Sequence, residues 1–345
     1  MDTKNPIVSV LIPVFNGEKY LDETIKSLQN QTFKDFEVVC IDDLSTDNSV
    51  KLLQKYASFD ERIKIFKRET KGGNAAKGFS YGLPLCKGEW CFCMSQDDFM
   101  SSDCLEKCYK RVIETEADVC IPDTVLYLGN AKNIDVVMQA PNEDYSQLMH
   151  GCDAFFYSVI YKISGFALKR MSLVHRIGSD DKYYDSSDKS ASLHYYYANK
   201  VAFCNAKFFY RQNNPDAITK KFSVNNLHHL DTCNEILQFS FEHKLSRNLL
   251  QFFIKVFNQR IVSNLCKSLM LDDKQQIVAK TIINNFFSDY RKILKENGYF
   301  YSYLKTYCFI FKSKILRIKL YNFMVKHNFT NNFLYKTIHK KLFKT

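Results

Sequence analysis

The sequence predicts an α/β fold on a mostly parallel central sheet, followed by a helical region. Three observations carry that prediction. Short apolar, β-branched runs alternate with helical repeats through the first 125 residues, and the links between them are short. Two of the runs end in adjacent acids, Asp42-Asp43 and Asp97-Asp98. Strand and helix alternating in this way build an open parallel sheet, whose ligands bind outside the carboxyl ends of the strands.

Each element has its own signal. IVSVLIPVF (7–15) is a continuous apolar run, as expected of a strand covered on both faces. KYLDETIKSLQNQ (19–31) sets Tyr20, Leu21, Thr24, Ile25 and Leu28 at helical spacing. FEVVCIDD (36–43) is a second strand ending in acid. STDNSVKLLQKYAS (45–58) opens with cap-forming residues and continues as a helix. IKIFKR (63–68) is a third strand, and KGGNAAKGFSYGL a glycine-containing loop entering a helix. EWCFCMSQDD is a fourth strand, SSDCLEKCYKRVIETE a capped helix, and ADVCIPDTVLYL a fifth strand. The pattern is less regular from 140 to 220, where KVAFCNAKFFYR again reads as strand. Helical periodicity dominates from 222 to 295, for example at Leu249, Phe252, Phe253, Val256 and Phe257. The predicted division is a domain at 1–221 and a helical, basic region at 222–345.

Composition narrows the class. With 29 Phe and 21 Tyr against 11 Gly and 6 Pro, the chain is built for a packed core rather than long disordered loops. Its twelve Cys lack the spacing of a disulfide framework or a metal site, so free buried thiols are expected. The closest pair, Cys91 and Cys93, is expected on opposite faces of its strand. Net charge is +11 and uneven: from Ser246 onward 19 Lys/Arg stand against 4 Asp/Glu. No stretch reaches about 18 apolar residues without Lys or Arg, which excludes a membrane-spanning helix. The polar start shows no signal peptide, and a cytoplasmic location is expected.

No nucleotide-binding glycine loop is recognisable. KGGNAAKG has glycines at 72, 73 and 78 and reads as a turn entering a helix. A nucleoside diphosphate would therefore need a divalent cation, and Asp97 and Asp98 supply hard carboxylate oxygens suited to Mg²⁺ or Mn²⁺. Either acidic pair alone also reads as turn or helix-cap chemistry. Both lie at predicted strand ends, which places them in one crevice.

VSVLIPVFNGEKYLDETIKSLQNQTFKDFEVVCIDDLSTDNS resembles the opening of family 2 glycosyltransferases of the GT-A fold, through Pro13, Asn16, Gln31-Thr32, Glu37, Asp42-Asp43, Ser45 and Asp47. The likeness resumes at GEWCFCMSQDDFM and at FFYRQNNPDAIT, and so covers about residues 6–220. The resemblance implies a nucleotide-sugar donor, with UDP the expected nucleotide. Pro13 and Phe15 would line the base site, with the Phe15 ring stacking on the base. Asp43 would hydrogen-bond the base, Asp97 would face the ribose and metal shell, and Asp98 would coordinate Mn²⁺ or Mg²⁺. Ser95 stands where relatives carry a further acid, and the expected Arg near KGFSYGL is missing, with Lys71 or Lys77 as substitutes.

Inverting transfer needs a general base. Asp188 is the expected base, with Asp185 second and Asp180-Asp181 behind. His194 occupies the position where relatives often carry Arg. The absence of Q-x-x-R-W argues against a processive synthase. The implied activity is non-processive sugar transfer to a glycan or a lipid-linked acceptor. The basic, aromatic C-terminal segment suits an anionic membrane surface, giving peripheral association at the inner face of the membrane; no nucleic-acid partner is expected. The alternative is a basic α/β protein that binds nucleic acid or membrane without transferase activity.

Overall fold

The computed structural model describes residues 5–129, 134–182, 186–217, 220 and 222–299. The chain divides into two compact units, residues 1–220 and 221–345.

In the first unit β1 (Val8–Val14), α1 (Glu18–Gln29), β2 (Phe36–Asp42), α2 (Ser49–Ala57), β3 (Ile63–Lys67), α3 (Ala75–Gly82) and β4 (Trp90–Cys93) follow in order. After them come β5 (Phe99–Met100), α4 (Cys104–Thr115), β6 (Val119–Tyr127), β7 (Ile134–Met138) and β8 (Met149–His150). The unit closes with α5 (Gly151–Val159), β9 (Leu168–Arg170), α6 (Met171–Ile177), α7 (Ser186–Tyr197) and β10 (Lys200–Arg211). The ten described strands form one sheet of order β3-β2-β1-β4-β9-β6-β10-β5, with β7 on β6 and β8 on β10. β1, β2, β3 and β4 pair parallel, as does β10 with β6. β9 enters antiparallel between β4 and β6, so the sheet is mixed. Three residues of β9 are too few to show any periodicity in sequence, which hid this turn of topology.

Alternate residues of β1 serve opposite faces, as a pleated strand requires. Val8, Val10, Ile12 and Val14 join Leu21, Ile25 and Leu28 of α1 in one core cluster. Leu11 joins Ile41, Leu83 and Cys91 in the cluster on the other face. The helix over this second face lies close: a Cβ on Gly78 of α3 would sit 2.5 Å from Cβ of Pro13. Buried polar residues are satisfied locally. Gln31 donates to the carbonyls of Ser27 and Ser101 and accepts from the Leu105 N–H. Glu37 accepts from the Ser9 hydroxyl and the Lys87 N–H.

Among the described residues every cysteine is free. Burial pushes the Cys40 thiol up to about 12, and such thiols pack as small apolar groups. The Cys91 and Cys93 sulfurs lie 3.7 Å apart, which corrects the expectation of opposite faces: residues two apart on a strand share one face.

The second unit contains α8 (His229–Glu242), α9 (Arg247–Ser268) and α10 (Asp273–Glu296). Asp272 caps α10 by accepting the Gln275 N–H, and Ser246 caps α9 through the Leu249 N–H. The buried stripe of α9 is Leu250, Phe253, Ile254, Phe257 and Ile261, one step round from the expected one, and Phe252 is exposed. No described helix is long and apolar enough to cross a membrane. The basic aromatic segment after residue 299 lies outside the described residues.

Candidate active site

Register brings the two acidic doublets together. Val14 at the end of β1 pairs with Asp42 at the end of β2. On the other side of β1, Leu11 pairs with Cys93, the last residue of β4, so the loop carrying Ser95–Asp98 begins beside the last turn of β1. Asp42-Asp43 and Asp97-Asp98 thus flank the same strand end, as expected from the sequence.

A reciprocal set of loop bonds frames the mouth of this crevice. Asn16, in the left-handed region at φ 49°, accepts from the Thr46 N–H at 2.8 Å and donates its own N–H to the Ser45 hydroxyl at 3.1 Å. Asp47 accepts N–H groups from Glu18 at 3.0 Å and Ser49 at 2.9 Å, and so holds the starts of α1 and α2 at once. Several of the residues that make the opening block distinctive are therefore staples between loops.

Asp42 is fully buried, with one carboxylate oxygen accepting the Ser45 N–H at 3.1 Å. Asp43 is buried and richly supplied with donors. Its Oδ1 accepts the Gly72 N–H at 2.6 Å and its Oδ2 the Gly73 N–H at 2.8 Å, while Arg68 Nε lies 3.1 Å from Oδ1. Those two N–H groups are consequently not free to cradle phosphate, in line with a turn entering a helix. Gly73 takes φ +83°, a conformation that favours glycine. Asn74 then caps α3 by accepting the Lys77 N–H at 2.9 Å. Lys71 Nζ sits 3.9 Å from the centre of the half-buried Phe15 ring, a cation–π contact on the face expected to meet a base. The cation that sequence reasoning missed is Arg68, at the end of the third strand.

The second doublet is built differently. Asp98 is completely enclosed; its Oδ1 accepts the Arg211 N–H at 2.9 Å and its Oδ2 has no hydrogen-bond partner. Burial, reinforced by the neighbouring Asp97, pushes its carboxyl well above the usual carboxylate range. Asp97 is half-buried, and its Oδ2 accepts from Asn214 Nδ2 at 2.7 Å. Arg211, the last residue of β10, draws the Asp98 carboxyl down but does not outweigh burial and Asp97. Its Nε donates to the Asp97 carbonyl at 2.7 Å, its Nη2 pairs with Glu23, and its guanidinium lies over Tyr20, Tyr127 and Phe99. Sequence reasoning quoted the segment holding Arg211 and Asn214 without singling either out.

These donors suit a divalent cation: two hard carboxylates, a nearby serine at position 95, and an enclosed carboxylate oxygen that no protein group satisfies. Asp97 is the more accessible of the pair, and an ion reaching Asp98 Oδ2 must enter the loop rather than rest on its surface.

Asp188 lies in the first turn of α7, exposed, accepting the Tyr161 hydroxyl at 2.9 Å. α7 packs against α3, α5 and α6. Asp180 is ion-paired with Lys189, which helps hold its carboxyl below the usual range against the opposing effect of burial. Asp185 lies outside the described residues. His194 is buried, its Nε2 bonded to the Gly178 carbonyl at 2.9 Å and its Nδ1 unpartnered. Burial, assisted by Lys169, pushes it down to about 3, so it is neutral at physiological pH and does not stand in for an arginine.

Comparison with known proteins agrees with this architecture. The Glycosyl transferase family 2 profile matches residues 9–178, ending just before α7. The glycosyltransferase GlyG of Streptococcus pneumoniae is 27% identical over 229 residues, covering 63% of this chain and 75% of that protein. Among solved structures, S. aureus TarS 1–349 in complex with UDP aligns at a TM-score of 0.55 and 19% identity, over 82% of this chain and 80% of that one. The mannosyltransferase PcManGT of Pyrobaculum calidifontis, in complex with GDP-Man and Mn²⁺, aligns at 0.51 and 13% identity, over 88% and 87%. Fold, strand-end crevice and matched sequence concur: the chain belongs to glycosyl transferase family 2 and is a glycosyltransferase of the GT-A fold.

Proposed function

We propose that this enzyme is a metal-dependent, inverting, non-processive transferase. It moves a sugar from a UDP-type donor to a hydroxyl of a glycan or lipid-linked acceptor. The observation that carries the proposal is the contrast between Asp43 and Asp98. Asp43 is satisfied by two loop N–H groups and Arg68, whereas Asp98 has an enclosed oxygen without a partner, as Asp42 also has, and in addition a carboxyl pushed up by burial and by the adjacent Asp97.

Phe15, with Pro13 behind it, offers an aromatic face for the base. Asp43 Oδ2 has accepted one loop N–H and retains capacity for a donor on the base. Asp97 and Asp98 would hold Mn²⁺ or Mg²⁺ between them, Asp97 nearer the ribose and Asp98 through Oδ2. A divalent ion there would supply charge neutralisation for the departing nucleoside diphosphate. Asp188 takes the proton from the acceptor hydroxyl as it attacks. Its place in the first turn of α7 and its hydroxyl partner Tyr161 support that role by orienting the carboxylate.

The test is a mass-spectrometric screen of nucleotide sugars for turnover by the wild-type enzyme and by Asp98→Asn. Turnover of a UDP-sugar that disappears in the variant supports the proposal. Turnover of no nucleotide sugar, or undiminished turnover in the variant, contradicts it. The surplus of Lys/Arg after Ser246 supports contact with an anionic membrane surface. Co-sedimentation of the full chain with phosphatidylglycerol vesicles, lost at high salt, checks that part.

A further inference from the structure

Gln96 occupies the middle of the Ser95–Asp98 loop, and its side chain turns back onto the loop after β1. Its Oε1 accepts the Phe15 N–H at 2.8 Å and its Nε2 donates to the Phe15 carbonyl at 2.9 Å. One amide thus satisfies both polar groups of one residue, as a neighbouring strand would, just past the end of the β1–β4 pairing. The other side of Gln96 is anchored too, its carbonyl accepting the Thr24 hydroxyl at 2.7 Å. The fit is tight. A Cβ on Gly17 would lie 2.3 Å from Gln96 Oε1 and 2.6 Å from its Cδ, so the glycine leaves room for the clamp. Gly17 has φ −100°, which any residue adopts, and space rather than backbone conformation is what requires glycine there.

We infer that Gln96 is a positioning residue that couples the base side of the site to the acidic side, so that Phe15 and the Asp97-Asp98 loop keep one geometry toward a nucleoside diphosphate. This rests on the reading of Phe15 and the doublet given above. Phe15 lies beyond the parallel β1–β4 pairing, next to Asn16 at φ 49°, and the Gln96 amide supplies partners for both of its backbone polar groups. Neighbouring Ser95 brings no carboxylate to the loop, which raises the importance of holding the two remaining carboxylates in register with the base site.

The experiment is calorimetric titration of UDP, in the presence of Mn²⁺, into wild type, Gln96→Ala, Gly17→Ala and the double variant, with melting temperatures recorded alongside. Gln96→Ala is expected to weaken UDP about tenfold, the scale of two lost neutral hydrogen bonds. Gly17→Ala is expected to weaken UDP similarly by displacing the amide. The double variant is expected to bind no more weakly than Gln96→Ala, because the added methyl then fills vacated space. Gln96→Glu keeps the acceptor for the Phe15 N–H but sets an oxygen against the Phe15 carbonyl. It should also lose affinity, and it serves if the alanine variant does not fold. A purely structural role would lower the melting temperature of these variants and leave UDP affinity unchanged, and that result overturns the inference. Additive losses in the double variant also overturn it. Failure of the wild-type enzyme to bind UDP instead overturns the underlying reading of the site, and the inference with it.

Discussion

The same dipeptide, Asp-Asp, stands at the end of β2 and in the loop after β4, on either side of β1, and the second aspartate of each copy has been given different surroundings. Asp43 receives two glycine N–H groups and the Arg68 guanidinium, so both of its oxygens have donors within the protein. Asp98 receives one backbone N–H, and burial, reinforced by the adjacent Asp97 carboxylate, pushes its carboxyl well above the usual range. The nearby Arg211 cannot redress this, because Glu23 and three aromatic rings already engage its guanidinium. An aspartate supplied as Asp43 is can be a permanent part of the pocket wall. A doublet left short of positive charge is suited to a partner that arrives with the substrate. The difference lies in the groups that face each carboxylate and is invisible in the doublets themselves.

The largest effect should come from neutralising the Asp97-Asp98 doublet. Asp97→Asn and Asp98→Asn are each expected to cut sugar transfer by about a thousandfold or more, the scale of losing metal stabilisation of a leaving group. The readout is initial rate against Mn²⁺ concentration. If either variant keeps its rate and metal dependence, the ligand role belongs to the other residue alone. Next in size, Asp188→Asn should lower turnover at saturating donor by about a hundredfold or more, while UDP affinity stays at the wild-type value. A near-normal turnover places the base elsewhere. On the well-supplied side the effect should be milder and of a different kind. Arg68→Gln is expected to weaken UDP about tenfold by loosening the Gly72–Gly73 loop, yet keep the gain in affinity that Mn²⁺ confers. Loss of the metal response in that variant would erase the distinction between the two doublets.

How much of this was legible in the sequence follows the length of each signal. β1, β2 and β10 are long apolar runs, and the expected strands match them. β5, β8 and β9 span two or three residues, below any periodicity, and all three pair antiparallel, which helps make the sheet mixed. The two doublets were legible because strand ends are predictable and carboxylates are conspicuous there. Their partners were not: Arg68 reaches Asp43 from another strand, and Arg211 reaches the second doublet across more than a hundred residues of chain. His194 shows the reverse failure. Its spacing from Asp188 suggested a positive charge, but burial makes it neutral, and burial is a property of the folded chain rather than of spacing.

The smallest expected effect calibrates the argument on a carboxylate outside both doublets. Asp123 on β6 is buried and bonded through both oxygens to the Tyr145 hydroxyl, and burial raises it from 3.8 to about 6. A carboxyl raised on folding binds its proton more tightly in the folded chain, so stability falls as pH rises through the interval between the two values. Asp123→Asn should therefore gain on the wild type as pH rises from about 4 to about 6, measured by thermal melting without added metal. A constant difference across that interval would show that burial is not what shifts this group.

If the Asp97-Asp98 doublet receives a cation that accompanies the donor, as proposed, calorimetric titration of UDP with and without Mn²⁺ should register it. Binding is expected to be at least about tenfold tighter with Mn²⁺ in the wild-type enzyme, and that gain to vanish in Asp98→Asn. Equal UDP affinity with and without the ion would contradict it.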